Sequence, residues 1–203
     1  HGSEHSFPTR RSSDLEKAAA QGSAQAQFNL AMMYSSGRGV EKSDEKSFEW
    51  LEKAARQGYT EAEYALGLRY GLGRGVAKDD TQAAAWYRKA AEKGHTAAAG
   101  LLGSRYLTGN GVPQNDKQAA EWFAKAAAKG DAFAQYNLGL LYNLGRGVPQ
   151  DRARSLDLLA KAAEQGRLSA QYLLYSLYAQ GRNGVPQDDK QASYWLAKAA
   201  EQG

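Results

Sequence analysis

The sequence predicts an all-α fold, an α-solenoid formed as a right-handed superhelix of antiparallel helix pairs in 36-residue repeats. Three observations predict it. Among 203 residues there is no Ile, and the five Val (Val40, Val76, Val112, Val148, Val185) all occupy one recurring context, so the β-branched runs that sheets favour are missing. The tripeptide Lys-Ala-Ala starts at Lys17, Lys53, Lys89, Lys125, Lys161 and Lys198, at spacings of 36, 36, 36, 36 and 37. Leu30, Leu66, Leu102, Leu138 and Leu174 keep a strict 36, as do Tyr34, Tyr70, Tyr106, Tyr142 and Tyr178. A period of this length belongs to supersecondary units that bury their apolar faces on one another.

Residues 1–15 share neither composition nor spacing with the rest of the chain. His5 to Leu15, HSFPTRRSSDL, resemble the translation of a common sequencing-adapter string, and 1–15 is assigned as an artefactual, disordered segment outside the fold. The solenoid is expected over 16–203, as a stub from Glu16 followed by five full repeats, and is read as a fragment of a longer protein. On that reading the native ends, any signal peptide and the oligomeric state lie beyond the sequence.

Each repeat reads as two helices. The first carries Ala-x-x-x-Leu-Gly-x-x-Tyr, as in Ala134, Leu138, Gly139 and Tyr142, whose offsets of 0, 4, 5 and 8 share one stripe. It is expected to stop where a glycine such as Gly145 takes the left-handed C′ conformation. In the fifth repeat the turn Gly-Arg-Gly-Val becomes Gly-Arg-Asn-Gly-Val from Gly181, an insertion a loop can absorb. The second helix begins where Asp79, Asn115 and Asp188 precede Gln82, Gln118 and Gln191 by three residues, a spacing resembling a capping box. Trp50, Trp86, Trp122 and Trp195 mark its apolar stripe, and Gly58, Gly94, Gly130 and Gly203 its end.

The full pattern, Ala-x-x-x-Leu-Gly-x-x-Tyr-x-x-Gly-x-Gly-Val followed by Asp, Ala, Trp and Lys-Ala-Ala, resembles the Sel1-like repeat (SLR) family of the tetratricopeptide-like superfamily. The resemblance covers residues 16–203 and recurs five times. It implies a solenoid that binds proteins or peptides without catalysis, in a bacterial protein for which the periplasm or secretion is the favoured compartment. Cysteine-rich relatives linked to penicillin or cell-wall recognition supply a rival, a cell-wall or β-lactam-related enzyme; a passive spacer or oligomerisation arm is a third reading. Departures cluster late: Arg152 replaces the recurring Asp, Leu158 replaces Trp, and Tyr175 fills the slot of Gly67, Gly103 and Gly139. A close helix approach is therefore not assured in the last two repeats.

Chemistry is sparse. Without Cys there is no disulfide, thiolate zinc site or cysteine nucleophile. His95, the one histidine outside residues 1–15, has no second ligand and is read as solvated surface. The glycine-rich loop Gly71-Leu72-Gly73-Arg74-Gly75 ends a helix instead of opening one after a strand, so it is a turn and not a phosphate cradle. Ser43-x-x-Lys46 matches the nucleophile motif of penicillin-recognising enzymes, but its serine slot holds Asp79, Asn115, Asp151 or Asp188 elsewhere, which makes it a cap; neither Ser-Asp-Asn nor Lys-Thr-Gly occurs. No catalytic residue, metal or cofactor is expected. The net charge of +4 is spread through the repeats without a basic patch, which argues against nucleic acid, and no stretch approaches the roughly 18 apolar residues of a membrane span.

The partner expected is a protein or peptide. Positions opposite the Leu-Gly-Tyr stripe of the first helices are assigned to the concave side, and there the repeats differ. The candidate partner-binding residues are Tyr64, Arg69, Tyr136, Leu140, Asn143, Tyr172 and Ser176, with the three tyrosines as anchors, Arg69 and Asn143 as polar guides, and Gly100 leaving a gap in the row. The competing reading is that these aromatics pack the neighbouring first helices as the solenoid coils.

Overall fold

A computed structural model describes residues 10–181 and 184–202. Among them there are helices and turns and no strand. A stub helix α1 (Arg10–Ala20) precedes five first helices, α2 (Ala24–Ser36), α4 (Thr60–Leu72), α6 (Thr96–Thr108), α8 (Ala132–Leu144) and α10 (Leu168–Gln180). Each is followed by a second helix, α3 (Asp44–Arg56), α5 (Asp80–Glu92), α7 (Asp116–Ala127), α9 (Arg152–Glu164) and α11 (Asp189–Ala200). The chain forms two compact units, one running through Ala98 and including Asn110–Val112, the other comprising Ala99–Gly109 and the chain from Pro113.

The start of α1 differs from the sequence expectation. Residues 10–15 are helical, because Leu15 falls on the same stripe as Ala18 and Ala19 and packs with Ala18 against the buried Ala19, Ala26 and Leu30. Residues 1–9 lie outside the described residues.

Every second helix starts on a side-chain cap. Ser43, Asp79, Asn115, Asp151 and Asp188 accept from the backbone N–H three residues on, at 2.9–3.1 Å. The reciprocal half of a capping box is replaced. The N–H of each cap residue donates instead to the carbonyl of the repeat tyrosine, Tyr34, Tyr70, Tyr106, Tyr142 and Tyr178, at 2.8–3.0 Å. This bond closes each helix pair, and it spans ten residues instead of nine in the fifth repeat, so the extra residue is taken up within the turn. Arg182 and Asn183 of that turn lie outside the described residues, as does Gly203, the expected end of the last second helix.

Small residues set the distance between paired helices. A Cβ at Gly67 would lie 2.6 Å from the Tyr87 ring, and one at Gly103 2.8 Å from that of Phe123. Where Tyr175 fills the slot, α10 and α11 still pair: the Tyr175 ring packs on a core of Leu174, Leu177, Val185 and Trp195, while Leu196, equivalent to the fully buried Leu159, is left exposed. In the first unit the core is Ala31, Leu51, Ala54, Ala62 and Leu66. The tryptophans sit at the core margins. Trp122 and Trp195 are buried, whereas Trp50 and Trp86 are half-buried, with Lys53 and Lys89 lying 4.0 and 3.8 Å over their rings.

Candidate functional site

The first helices present the residues singled out for recognition, and the structure shows what holds each. Tyr64 on α4 is half-buried and stacks on His95, ring centroids 4.3 Å apart and planes 24° apart. His95 is therefore not simply solvated: its ring covers Tyr64 and its Nδ1 accepts from the Ala98 N–H, capping α6. One repeat earlier, Tyr59 approaches Phe28 at 5.3 Å and donates its hydroxyl to Gln25 Oε1 at 2.6 Å. In the second unit Arg167 lies over both Phe133, at 5.1 Å, and Tyr136, at 4.9 Å.

One rule covers these contacts. Tyr59, His95 and Arg167 occupy the same slot, just before a first helix, and each reaches back to an aromatic on the preceding first helix. At Gly100 the place of that aromatic is taken from the next repeat. Instead of an open gap, Gly100 is buried and faces Phe133, whose ring would meet an added Cβ at 3.5 Å. Tyr172 is 52% exposed, and the slot that would reach back to it, one repeat after Arg167, falls past Gly203.

Arg69 does not present its charge outward. It is 6% exposed, and its guanidinium donates to Asp44, to Ser35 Oγ at 2.6 Å and to Ser47 Oγ at 2.9 Å, stapling α4 to α3 and α2. The hydrogen bond from Arg69 holds the Asp44 carboxyl below the usual carboxylate range, against the opposing effect of burial. Leu140, Asn143 and Ser176 are half-buried on α8 and α10, and the Asn143 carbonyl accepts from Gln150 Nε2 at 2.7 Å. The structure thus leaves Tyr136, Leu140, Asn143, Tyr172 and Ser176 on the first helices of the second unit, and uses Tyr64 and Arg69 for packing in the first.

Sequence reasoning does not single out a buried polar row on the same helices. Gln27, Gln135 and Gln171, one residue after the consensus alanine, are each about 95% or more buried and donate to the carbonyls of Ala19, Ala127 and Ala163. Their recurrence at multiples of 36 is the signal that could have found them. In the second repeat the slot holds Glu63, paired to Lys93 at 2.6 Å.

The repeat geometry agrees with what comparison with known proteins finds. The model of the Sel1 repeat matches residues 24–59, 60–95, 96–131, 132–166 and 168–203. The chain belongs to the Sel1 repeat family. It is similar to a Sel1 repeat protein from Oxalobacter formigenes, at 36% identity and a TM-score of 0.85 over 95% of this chain and 84% of that one. It is also similar, at 34% identity and a TM-score of 0.71, to a protective antigen present in uropathogenic Escherichia coli strains displaying an SLR fold. That match covers 95% of this chain and 49% of the antigen, so the chain spans about half the antigen's length. An immunity protein from Pseudomonas aeruginosa shares the fold at 21% identity, with a TM-score of 0.58 over 94% of this chain and 72% of that one. No curated protein matches the chain.

The α-solenoid class read from the repeat is the fold of these Sel1-like relatives. Sel1 repeat proteins generally act as protein-interaction scaffolds and are typically non-catalytic. Among the described residues no helix is long and apolar enough to cross a membrane, and no group of His, Asp and Glu is placed to hold a metal.

Proposed function

We propose that this chain is a non-catalytic scaffold that holds a protein or peptide on the first-helix face of its second unit, with Tyr172 as anchor. The five Sel1 repeats carry the proposal, since proteins of this family generally act as protein-interaction scaffolds. On the first helices of the second unit Tyr136 and Tyr172 occupy the same repeat position and present amphipathic ring surface. Tyr136 and Leu140 on α8 add apolar surface, and Asn143 and Ser176 add polar groups. The aromatic and amide chemistry suits a neutral peptide segment better than a polyanion, and affinity should depend weakly on salt.

The test starts from a partner recovered by pull-down and purified. Titrated against the wild-type chain, Tyr172→Ala and Lys125→Ala, it should bind Tyr172→Ala about 5- to 100-fold more weakly, as removal of an interface aromatic commonly costs about 1–3 kcal/mol. Lys125, over the Trp122 ring on a second helix, serves as the control away from the proposed face. Equal affinity for all three chains would reject this face.

A further inference from the structure

We infer that a cleft of about 410 Å³ in the second unit, between α7, α8 and α9, binds the indole of a tryptophan side chain presented by a peptide or protein partner. The ring would lie on Ala124, Ala127, Ala128, Leu138 and Leu158, with the Lys161 ammonium over its outer face. The site shares no residue with the first-helix face proposed above and stands independently of that reading.

Three departures from the repeat meet at this cleft. The first is a missing indole. Trp50, Trp86, Trp122 and Trp195 fill one slot of the second helices, and the fourth repeat places Leu158 there. In the second repeat Trp86 packs against the core that contains Leu66. Leu138, the counterpart of Leu66, lines the cleft and is 5% exposed, whereas Leu30, Leu66, Leu102 and Leu174 are at 0–1%. The shorter side chain thus opens a path to a core leucine that the other repeats seal.

The second departure clears the opposite wall. The slots of Ala124 and Ala128 on α7 hold Glu52 and Arg56 on α3, and Arg88 and Glu92 on α5. The equivalent cleft of the second repeat is accordingly rimmed by charge, with Arg56, Glu92 and Lys93. In the fourth repeat the walls are three alanines and two leucines. The buried Gln135 beside them has its amide engaged, donating to the Ala127 carbonyl at 3.4 Å and accepting from Gln165 at 2.8 Å. A concavity with its polar groups satisfied selects an apolar occupant, and its volume falls in the range of about 300–1,000 Å³ usual for ligand sites.

The third departure is the lysine. Lys53, Lys89 and Lys125 lie 4.0, 3.8 and 3.8 Å over the indoles of their own helices. Lys161 holds the same slot beside Leu158, and its ammonium pairs instead with Asp157 at 2.7 Å. That pair is on the surface, its side chains 54% and 60% exposed, so exchanging it costs little. Lys53 and Lys125 stay over their rings with Glu49 and Glu121 in the slot of Asp157, so a lysine here that is given an indole takes it. Cation–π attraction over a flat apolar floor favours indole above an aliphatic side chain.

The test titrates the full chain with the peptide Gly-Gly-Trp-Gly-Gly, blocked at both ends, with its leucine counterpart and with free indole, following backbone amide resonances. The tryptophan peptide should give saturable shifts around Gly130, Leu138 and Lys161, half-saturating below about 10 mM, and the leucine peptide should bind at least about fivefold more weakly. Leu158→Trp restores the residue of the other four repeats and should keep the fold while weakening binding at least about tenfold, because its own ring fills the cleft. Ala128→Glu, at an exposed position where the second and fourth repeats carry Glu92 and Glu164, should also fold and weaken binding. Lys161→Gln should weaken it about two- to fivefold. No saturable shift below about 10 mM, equal binding of the leucine peptide, or undiminished affinity in either folded variant of Leu158 or Ala128 would overturn the inference. A cleft that takes free indole and refuses the peptide would overturn it as well, since the occupant would then not be a partner's side chain.

Discussion

The imidazole of His95 lies flat against the ring of Tyr64, centroids 4.3 Å apart, so an aromatic on the outward side of a first helix is held by the residue just before the next one. Tyr64 therefore contributes to the joint between repeats. Replacing it with Ala should destabilise the chain by about 1–3 kcal/mol, short of the cost of a fully buried aromatic because the ring is half-exposed. Tyr172, 52% exposed and without a ring partner among the described residues, should cost about 0.5 kcal/mol or less. Urea unfolding of the two variants gives the comparison, and equal losses would contradict this division of labour.

Arg69 and Asp44 make a second joint, and it should respond to acid. The Arg69 hydrogen bond lowers the folded-state pKa of Asp44 from an ordinary value of 3.8, so the pair stabilises the fold fully above that value and loses its contribution as pH falls through the depressed one. Arg69→Met should flatten the acid limb of the stability profile below about pH 4 while leaving its shape near neutrality unchanged. Arg69→Ala should also lower stability at pH 7, by about 1–3 kcal/mol, because the buried Ser47 and half-buried Ser35 lose their donor as well, while Asp44, which is partly exposed, regains water. Thermal midpoints taken from pH 7 to pH 2.5 would decide both points; an acid limb that survives in Arg69→Met would place the titration elsewhere.

Legibility in the sequence divides by the range of the interaction. Helix pairs, their caps at Ser43, Asp79, Asn115, Asp151 and Asp188, and the turn glycines depend on residues within one repeat and recur with it, so the sequence displays them. Arg69 is misplaced by helical phase alone, which turns it outward, whereas a long side chain can curl back to a carboxylate 25 residues away. His95 is opaque in isolation and becomes clear only in register with Tyr59 and Arg167. Gly100 has the form of a gap in its own repeat, but Phe133 of the next one fills it. No period announces that contact, because the slot of Phe133 holds Gln25, Glu61, Ala97 and Ser169 in the other repeats, none of them aromatic.

The half-burial of Trp86 against the burial of Trp122 sets a ranking within one repeated slot. Trp122→Ala should cost about 3–5 kcal/mol, since it empties an enclosed site between helices. Trp86→Ala should cost roughly half as much, because its ring already meets solvent beneath Lys89. Chemical denaturation of the two single variants measures the difference, and a larger loss at Trp86 would reverse the ranking.

The second glycine of the turn between paired helices carries a constraint that backbone conformation alone does not explain. Gly75, in such a turn, and Gly130, at the end of a second helix, both have positive φ, +73° and +86°, so alanine at either is strained by about 1–2 kcal/mol. They differ in what surrounds them. A Cβ at Gly130 would meet nothing within 4 Å, whereas one at Gly75 would overlap the backbone carbonyl of Asp44, at the start of the preceding second helix. Gly111 faces Asp80, and Gly147 faces Asp116, in the same way. Backbone cannot rotate aside as a side chain can, so Gly75→Ala must open the joint between two repeats and should lose a further 1–3 kcal/mol, roughly the cost of overpacking. Unfolding midpoints of Gly75→Ala and Gly130→Ala isolate the contact from the strain. Equal losses would mean that the left-handed conformation, and not the close approach to Asp44, is what the turn requires of its glycine.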